Sequence, residues 1–195
     1  MIAGIILAAG ASSRMGTPKA LLDYRGETFV GRLTRVLSAV CDPVIVVLGY
    51  HADRIRPNIP AGVQIAVNPD PDRGQLSSLQ TALAALSPDA SGFAFTPVDS
   101  PAVGEETVRA LERAFEERDP STLFVIPRQD GRRGHPVMAT REIAAEFLAL
   151  PPTAQASEVV HRFVDRTHYV DVDDAGIFTD IDDPAAYQRL MRSVS

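Results

Sequence analysis

Short apolar runs alternate along this chain with stretches whose apolar residues recur at helical spacing, and that alternation constrains the fold more than any other feature. Ile2 to Leu7 is apolar throughout and reads as a strand buried on both faces. Phe29, Val30, Leu33, Val36, Leu37 and Val40 then repeat at helical spacing until Pro43 breaks the pattern. Val44 to Leu48 is a second β-branched run; a weaker segment passes Pro57 and Pro60, and Val63 to Val67 is a third strand. Leu76, Leu79, Leu83 and Leu86 mark a helix, Gly92 to Thr96 a fourth strand, and Val108, Leu111 and Phe115 the apolar face of a helix from Glu105. Thr122 to Ile126 and Pro136 to Ala139 are predicted strands on either side of a polar loop, Arg128 to Gly134. Arg141 to Leu150 and Ser157 to Val164 read as helical, Thr167 to Val172 as a strand, and Pro184 to Met191 as a closing helix with proline at its start. Strands alternating with amphipathic helices predict βαβ units and a mostly parallel sheet, an α/β fold.

In such sheets ligands bind beyond the carboxyl ends of the strands. That places three loops on one rim: Gly10 to Lys19, Asn68 to Ser78, and Pro97 to Pro101. The first is Gly10-Ala11-Ser12-Ser13-Arg14-Met15-Gly16-Thr17-Pro18-Lys19. Small residues let backbone N–H groups approach phosphate oxygens, and Arg14 and Lys19 add fixed positive charge. Lys19 is the only lysine in the chain. The loop is neither a P-loop, since Thr17 and Pro18 follow Gly16, nor a dinucleotide fingerprint, since Ala11 and Ser12 follow Gly10. The alternative is an ordinary strand-to-helix turn.

Length and composition bound the rest. The chain's 195 residues suit one domain, 1–195, and 45% hydrophobic with 23% charged residues is the balance of a globular protein. A net charge of −6 with no basic tract argues against nucleic acid as a partner. Cys41 stands alone, so no intramolecular disulfide and no cysteine-based metal site is expected. The opening apolar run is too short for a signal peptide, and no run approaches the ~18 residues of a membrane span. No membrane partner and a cytoplasmic location are expected.

Asp99 lies just past a strand between Pro97 and Pro101, which restrict the backbone around it; a turn-forming aspartate is the alternative. The acidic stretch holds Asp171, Asp173, Asp174, Asp180, Asp182 and Asp183. It fails as a calcium loop, because Ala175 takes a ligand place and Asp182 stands where glutamate belongs. It is either a solvated turn or the source of a second carboxylate, Asp180 or Asp182, that joins Asp99 around a divalent cation. Ser77 and Ser78 open the helix after the third strand and suit capping or a nucleotide contact. His135, Arg132 and Arg133 sit beside one another with structural and ligand-binding roles both open.

Six segments follow in order along the chain: Leu7-Ala8-Ala9-Gly10-Ala11-Ser12-Ser13-Arg14-Met15-Gly16-Thr17-Pro18-Lys19-Ala20-Leu21-Leu22, Asn68-Pro69, Gly74 with Ser77-Ser78-Leu79, Asp99-Ser100-Pro101, Gly134-His135-Pro136-Val137 and Asp180-Ile181-Asp182-Asp183-Pro184. In these the chain resembles the MobA-like nucleotidyltransferases, and among them most closely the molybdenum-cofactor cytidylyltransferase type. It implies a Rossmann-like three-layer fold and transfer of a nucleotidyl group from an NTP to a phosphorylated acceptor. Carried onto this sequence, Leu7, Ala8, Ala9, Gly10, Arg14, Lys19, Asn68, Ser77 and Ser78 would bind the nucleotide. Arg14 and Lys19 would sit on phosphate oxygens. Asp99 would bind Mg²⁺ with Asp182, or Asp180, as the second ligand, and Arg132 and His135 would face the acceptor. Guanylyl-transferring relatives read Leu-Ala-Gly-Gly at the opening, so Ala9 favours CTP; molybdopterin is the expected acceptor. Val98-Asp99-Ser100-Pro101 differs at two places from the Cys-Asp-Gln-Pro of cofactor-modifying members. That leaves two further readings: an accessory protein that delivers cofactor to a molybdoenzyme, or a transferase for a sugar or alcohol phosphate.

Overall fold

A computed structural model describes residues 1–151 and 153–192. In chain order its elements are β1 (Ile2–Ala8), β2 (Asp23–Tyr24), β3 (Glu27–Thr28), α1 (Phe29–Leu37), β4 (Val44–Leu48), α2 (Ala52–Ile55), β5 (Gln64–Val67), α3 (Gln75–Ala84) and β6 (Gly92–Pro97). They continue with α4 (Glu105–Glu116), β7 (Phe124–Gln129), β8 (Arg132–Arg133), β9 (Val137–Thr140), α5 (Ala144–Leu148), α6 (Ala156–Arg162), β10 (Thr167–Asp171) and α7 (Pro184–Arg192). The main sheet runs β10-β7-β9-β6-β1-β4-β5, with β8 on β7. β1 lies between parallel partners β4 and β6, β5 is parallel to β4, and β10 is parallel to β7. β9 alone runs against both its neighbours, β6 and β7.

The pleat sends alternate side chains to opposite faces, and each face has its own helices. Ile6, Val46, Ala94, Val125 and Met138 pack with Phe29 and Leu33 of α1 and with Val108, Leu111 and Phe115 of α4. Ile5, Val47, Phe93, Phe95, Phe124 and Ala139 pack with Leu79 of α3, Phe147 of α5 and Val159 of α6. Phe147 meets Phe93, Phe95 and Phe124 edge-on at centroid distances of 6.1, 5.8 and 6.2 Å. Each such ring is worth about 1.5–3 kcal/mol of burial. The result is a three-layer Rossmann-like α/β fold with a mostly parallel central sheet. Cys41 is buried in the first of these layers, and burial pushes its thiol up to about 12. Among the described residues no helix is long and apolar enough to cross a membrane.

The predicted elements recur with shifted ends, and the main departure lies around the arginine loop. β7 begins two residues later than expected and runs on to Gln129, and the expected loop folds back as β8. Asp130 and Gly131 make the turn with φ of 51° and 77°, the pairing that a two-residue hairpin turn demands. Arg25-Gly26 does the same between β2 and β3, with φ of 57° and 80°. β8 and β9 both run antiparallel to β7, but the register slips by two residues between them: Arg128 faces Arg133, whereas Val125 faces Met138. The two extra residues lie between Arg133 and Met138, a bulge in which the His135 N–H donates to the Ile177 carbonyl at 3.0 Å. Arg141 to Leu150 splits into a short 3-10 turn, Arg141–Ile143, followed by α5.

Candidate active site

The loop after β1 is closed on itself. The Met15 N–H donates to the Ser12 carbonyl at 2.9 Å, and the Lys19 N–H donates to Ser12 Oγ at 3.0 Å. Ser12 and Gly16 take φ of 52° and 68°, so the chain reverses without long side chains in the way. Just past β4, Tyr50 N–H donates to the Ala9 carbonyl at 3.1 Å and His51 Nε2 lies 3.1 Å from the Ala11 carbonyl oxygen. Gly49 is needed there, because a Cβ would lie 2.8 Å from that same Ala9 oxygen. Leu7, Ala8, Ala9, Gly10, Lys19, Ser78 and Asp99 line a cavity of about 190 Å³, together with Ile55, Pro71 and Gln75. Arg14 stands outside it at the rim, largely exposed.

Asn68 and Ser77 lie behind the wall of this cavity. Asn68 Nδ2 donates to Ser77 Oγ at 2.8 Å and to Ser78 Oγ at 3.1 Å, and Asn68 Oδ1 accepts from the Asp70 N–H at 3.0 Å. Ser77 Oγ donates to the Gly74 carbonyl at 2.7 Å. Both side chains thus build the turn that starts α3 and do not line the pocket; Ser78 does.

Asp99 comes from the turn after β6, whose Val98 N–H donates to the Leu7 carbonyl at 3.0 Å. Two contacts draw the acidic segment to it: Ile181 N–H donates to the Asp99 carbonyl at 3.1 Å, and Ser100 Oγ donates to the Thr179 carbonyl at 2.7 Å. One carboxylate oxygen each from Asp99, Asp180 and Asp182 then lie within 4.8 Å of one another. Lys19 Nζ sits 2.8 Å from Asp99 Oδ2 and 2.8 Å from Asp182 Oδ1, and Arg14 Nη2 is 3.5 Å from Asp182 Oδ1. Burial alone would lower the Lys19 pKa, but its hydrogen bonds to Asp182 and Asp99 outweigh that and raise it. The Lys19 hydrogen bond holds Asp182 low, while burial first and the charges of Asp99 and Asp182 next push Asp180 up. The other aspartates of the stretch have separate work. Asp171 pairs with Arg128, Asp174 accepts from Gly104 N–H and Thr107 Oγ1 at the start of α4, and Asp183 Oδ1 accepts from Ala186 N–H in α7. Hard oxygen donors crowded at this range could hold a divalent cation, and the Lys19 ammonium already sits between two of them.

Beyond Asp99 the cleft widens. A space of about 430 Å³ is lined by Asp99, Asp180, Asp182, Arg132, Arg133 and His135, and it opens to a chamber of about 710 Å³ walled by Phe95, Ile126, Val137 and Val160. His135 borders both, and burial holds its pKa below that of an ordinary histidine. Arg132 stacks over the Phe178 ring at 4.4 Å, and Arg133 touches His161. Gln75, the first residue of α3, borders all three spaces. Gln75, Gly49 and His51 belong to none of the site residues expected from the sequence. Gly74 before Gln75 and the Gly49-Tyr50-His51 run past β4 mark the same carboxyl rim.

At the rim of a Rossmann-like sheet, a small-residue loop thus carries two cations that face three carboxylates. This chain belongs to the MobA-like NTP transferase domain family, whose model matches residues 4–170. A probable molybdenum cofactor guanylyltransferase of Rhodopirellula baltica is 35% identical over 146 residues, 72% of this chain and 68% of that protein. Among solved structures, Rv0371c of Mycobacterium tuberculosis H37Rv superposes with a TM-score of 0.86 at 31% identity, covering 98% of both chains. A complex of Rv0371c with manganese matches with a TM-score of 0.77 at 29% identity over 98% of each chain.

Proposed function

We propose that this protein transfers a nucleotidyl group from an NTP to a phosphorylated acceptor, with a molybdopterin-type cofactor as the acceptor and Mg²⁺ as the metal. The observation that carries the reading is the meeting of Lys19, Asp99 and Asp182 from three distant segments, at 2.8 Å, where the cavity beside the β1 loop opens to the wider cleft. The small cavity suits the nucleotide, with Arg14 and Lys19 offsetting triphosphate charge. Asp99, with Asp182 and Asp180, would hold Mg²⁺, which would supply charge neutralisation at the α-phosphate. The larger chamber suits the acceptor: apolar walls for a ring system, with Arg132, Arg133 and His135 near its phosphate.

In the reaction an acceptor phosphate oxygen bonds to the α-phosphorus as the bond to pyrophosphate breaks on the opposite side. The acceptor brings its own nucleophile, so the protein's task is positioning and charge stabilisation. His135, held toward its neutral form, donates or accepts a hydrogen bond there without adding charge. Ala9 supports CTP as the donor. The guanylyltransferase names of the relatives support GTP as a second reading. Thermal shifts with each of the four NTPs, with and without Mg²⁺, followed by pyrophosphate release with molybdopterin, test both. We expect the largest shift and turnover with CTP. A larger GTP response would replace the donor, and binding without turnover on any phosphorylated acceptor would favour an accessory role in molybdoenzyme maturation.

A further inference from the structure

The family resemblance implies that the Lys19 ammonium meets triphosphate oxygens; with no nucleotide present it meets two carboxylates. Nζ lies 2.8 Å from Asp99 Oδ2 and 2.8 Å from Asp182 Oδ1, and its side chain is only 14% exposed. The contact is built into the backbone. Pro18 precedes the short turn Lys19–Leu21, and the Lys19 N–H is tied to Ser12 Oγ at 3.0 Å, so the stem leaves a fixed point. Its four-carbon chain ends in a compact charge that can be re-aimed about that point, which a rigid guanidinium fork does less readily. Asp99 also lines the nucleotide-sized cavity, and Lys19 lines it too, so the two places open to this ammonium are adjacent.

We propose that Lys19 is the resting counter-cation of Asp99, Asp180 and Asp182, and that it changes partner, from these carboxylates to triphosphate oxygens, as a divalent cation takes the carboxylates. The idea rests on reading the site as one for nucleotide and metal together. The electrostatics require some such exchange. Without a cation, three carboxylates whose oxygens lie within 4.8 Å repel one another, and Arg14 at 3.5 Å, on a 68% exposed side chain, is a weak substitute. With a divalent ion on the same oxygens, the ammonium and the ion would crowd like charges at close range. The ammonium leaves at least cost when an anion waits beside it, and the triphosphate is that anion. Metal alone must displace Lys19 with no new partner for it, and nucleotide alone must approach three carboxylates. Each ligand therefore eases entry of the other, and by linkage the coupling is reciprocal.

The single lysine makes the test direct, because ¹⁵N-lysine labelling yields one side-chain ammonium signal. The probes are MgCl₂ and the α,β-methylene analogues of CTP and GTP, which bind without transfer. The ligand-free protein should show a Lys19 Nζ signal that Asp99→Asn shifts. Mg²⁺ and analogue together should move it to a new position, with coupling to phosphorus. In parallel, Mn²⁺ binding to the nucleotide-free protein should tighten about tenfold in Lys19→Met, a gain equivalent to about 1.4 kcal/mol. A Lys19 signal unmoved while thermal shifts report that Mg²⁺ and analogue are bound would overturn the partner change and leave the nucleotide site standing. Absence of any analogue binding would overturn both. Equal or weaker Mn²⁺ binding by Lys19→Met would also count against the exchange, since it requires Lys19 and metal to compete.

Discussion

On the β1 side of Asp99 the cleft is walled by loops leaving the parallel strands β1, β4 and β5; on the β9 side it is walled by an interrupted hairpin and the segment after β10. The first wall is stitched by backbone groups, Tyr50 N–H to Ala9 and Val98 N–H to Leu7 among them, around about 190 Å³. The second is made of side chains, Arg132, Arg133 and His135, around spaces of about 430 and 710 Å³. A wall held by backbone hydrogen bonds keeps its shape whatever side chains it carries. Side chains on a bulged strand can be exchanged without disturbing the sheet. The difference thus separates a wall whose shape is set by the backbone from one whose contacts are set by side chains.

Asp99 is shared by both sides, so its loss should have the largest effect. Asp99→Asn is expected to lower kcat for pyrophosphate release by at least ~100-fold, on the scale of a lost transition-state contact. Near-normal turnover would show that the two sides do not meet at this residue. A second contrast concerns the backbone. A Cβ at Gly134 would lie 2.3 Å from the Ile177 carbonyl oxygen, whereas one at Gly10 would meet nothing within 4 Å. Gly134→Ala should therefore cost about 1–3 kcal/mol in urea unfolding, the range for overpacking, and Gly10→Ala should stay within about 0.5 kcal/mol. Equal costs would erase the distinction between a tightly packed β9-side bulge and an open β1-side loop.

The smallest effect is a pH slope. Burial keeps the folded His135 pKa below the ordinary value of about 6.5, so below that pH the unfolded chain binds the extra proton first. Stability should fall as pH drops below about 6.5, with the loss complete below the folded value, and His135→Gln should flatten that part of the curve. Thermal melts of the two proteins between pH 5 and pH 8 measure it; parallel curves would mean that His135 is solvated like any surface histidine.

How much of this was legible beforehand differs between the two sides for the same physical reason. The β1 loop is contiguous, and residues near in sequence stay near in space, so Gly10, Lys19 and the cavity they line were readable. Asp99 was readable because β6 and its flanking prolines fix a rim position. Asn68 and Ser77 carry the right chemistry for a ligand, but each is consumed by hydrogen bonds to its own turn. The two hairpins were announced by Arg25-Gly26 and Asp130-Gly131, yet short strands of polar residues give no hydrophobic period to detect. The antiparallel course of β9 left no local mark at all.

The sequence by itself determined the layers, because strand and helix periods decide which faces must be buried, and it determined the chemistry of the opening loop, because composition over ten residues is local. Only the tertiary structure decided the company Lys19 keeps. Its partners Asp99 and Asp182 lie 80 and 163 residues away, brought in by the β1–β6 pairing and by the Ile181-to-Asp99 and Ser100-to-Thr179 hydrogen bonds. Charges interact through space, and one sequence cannot state distances across such separations until the chain has closed on itself.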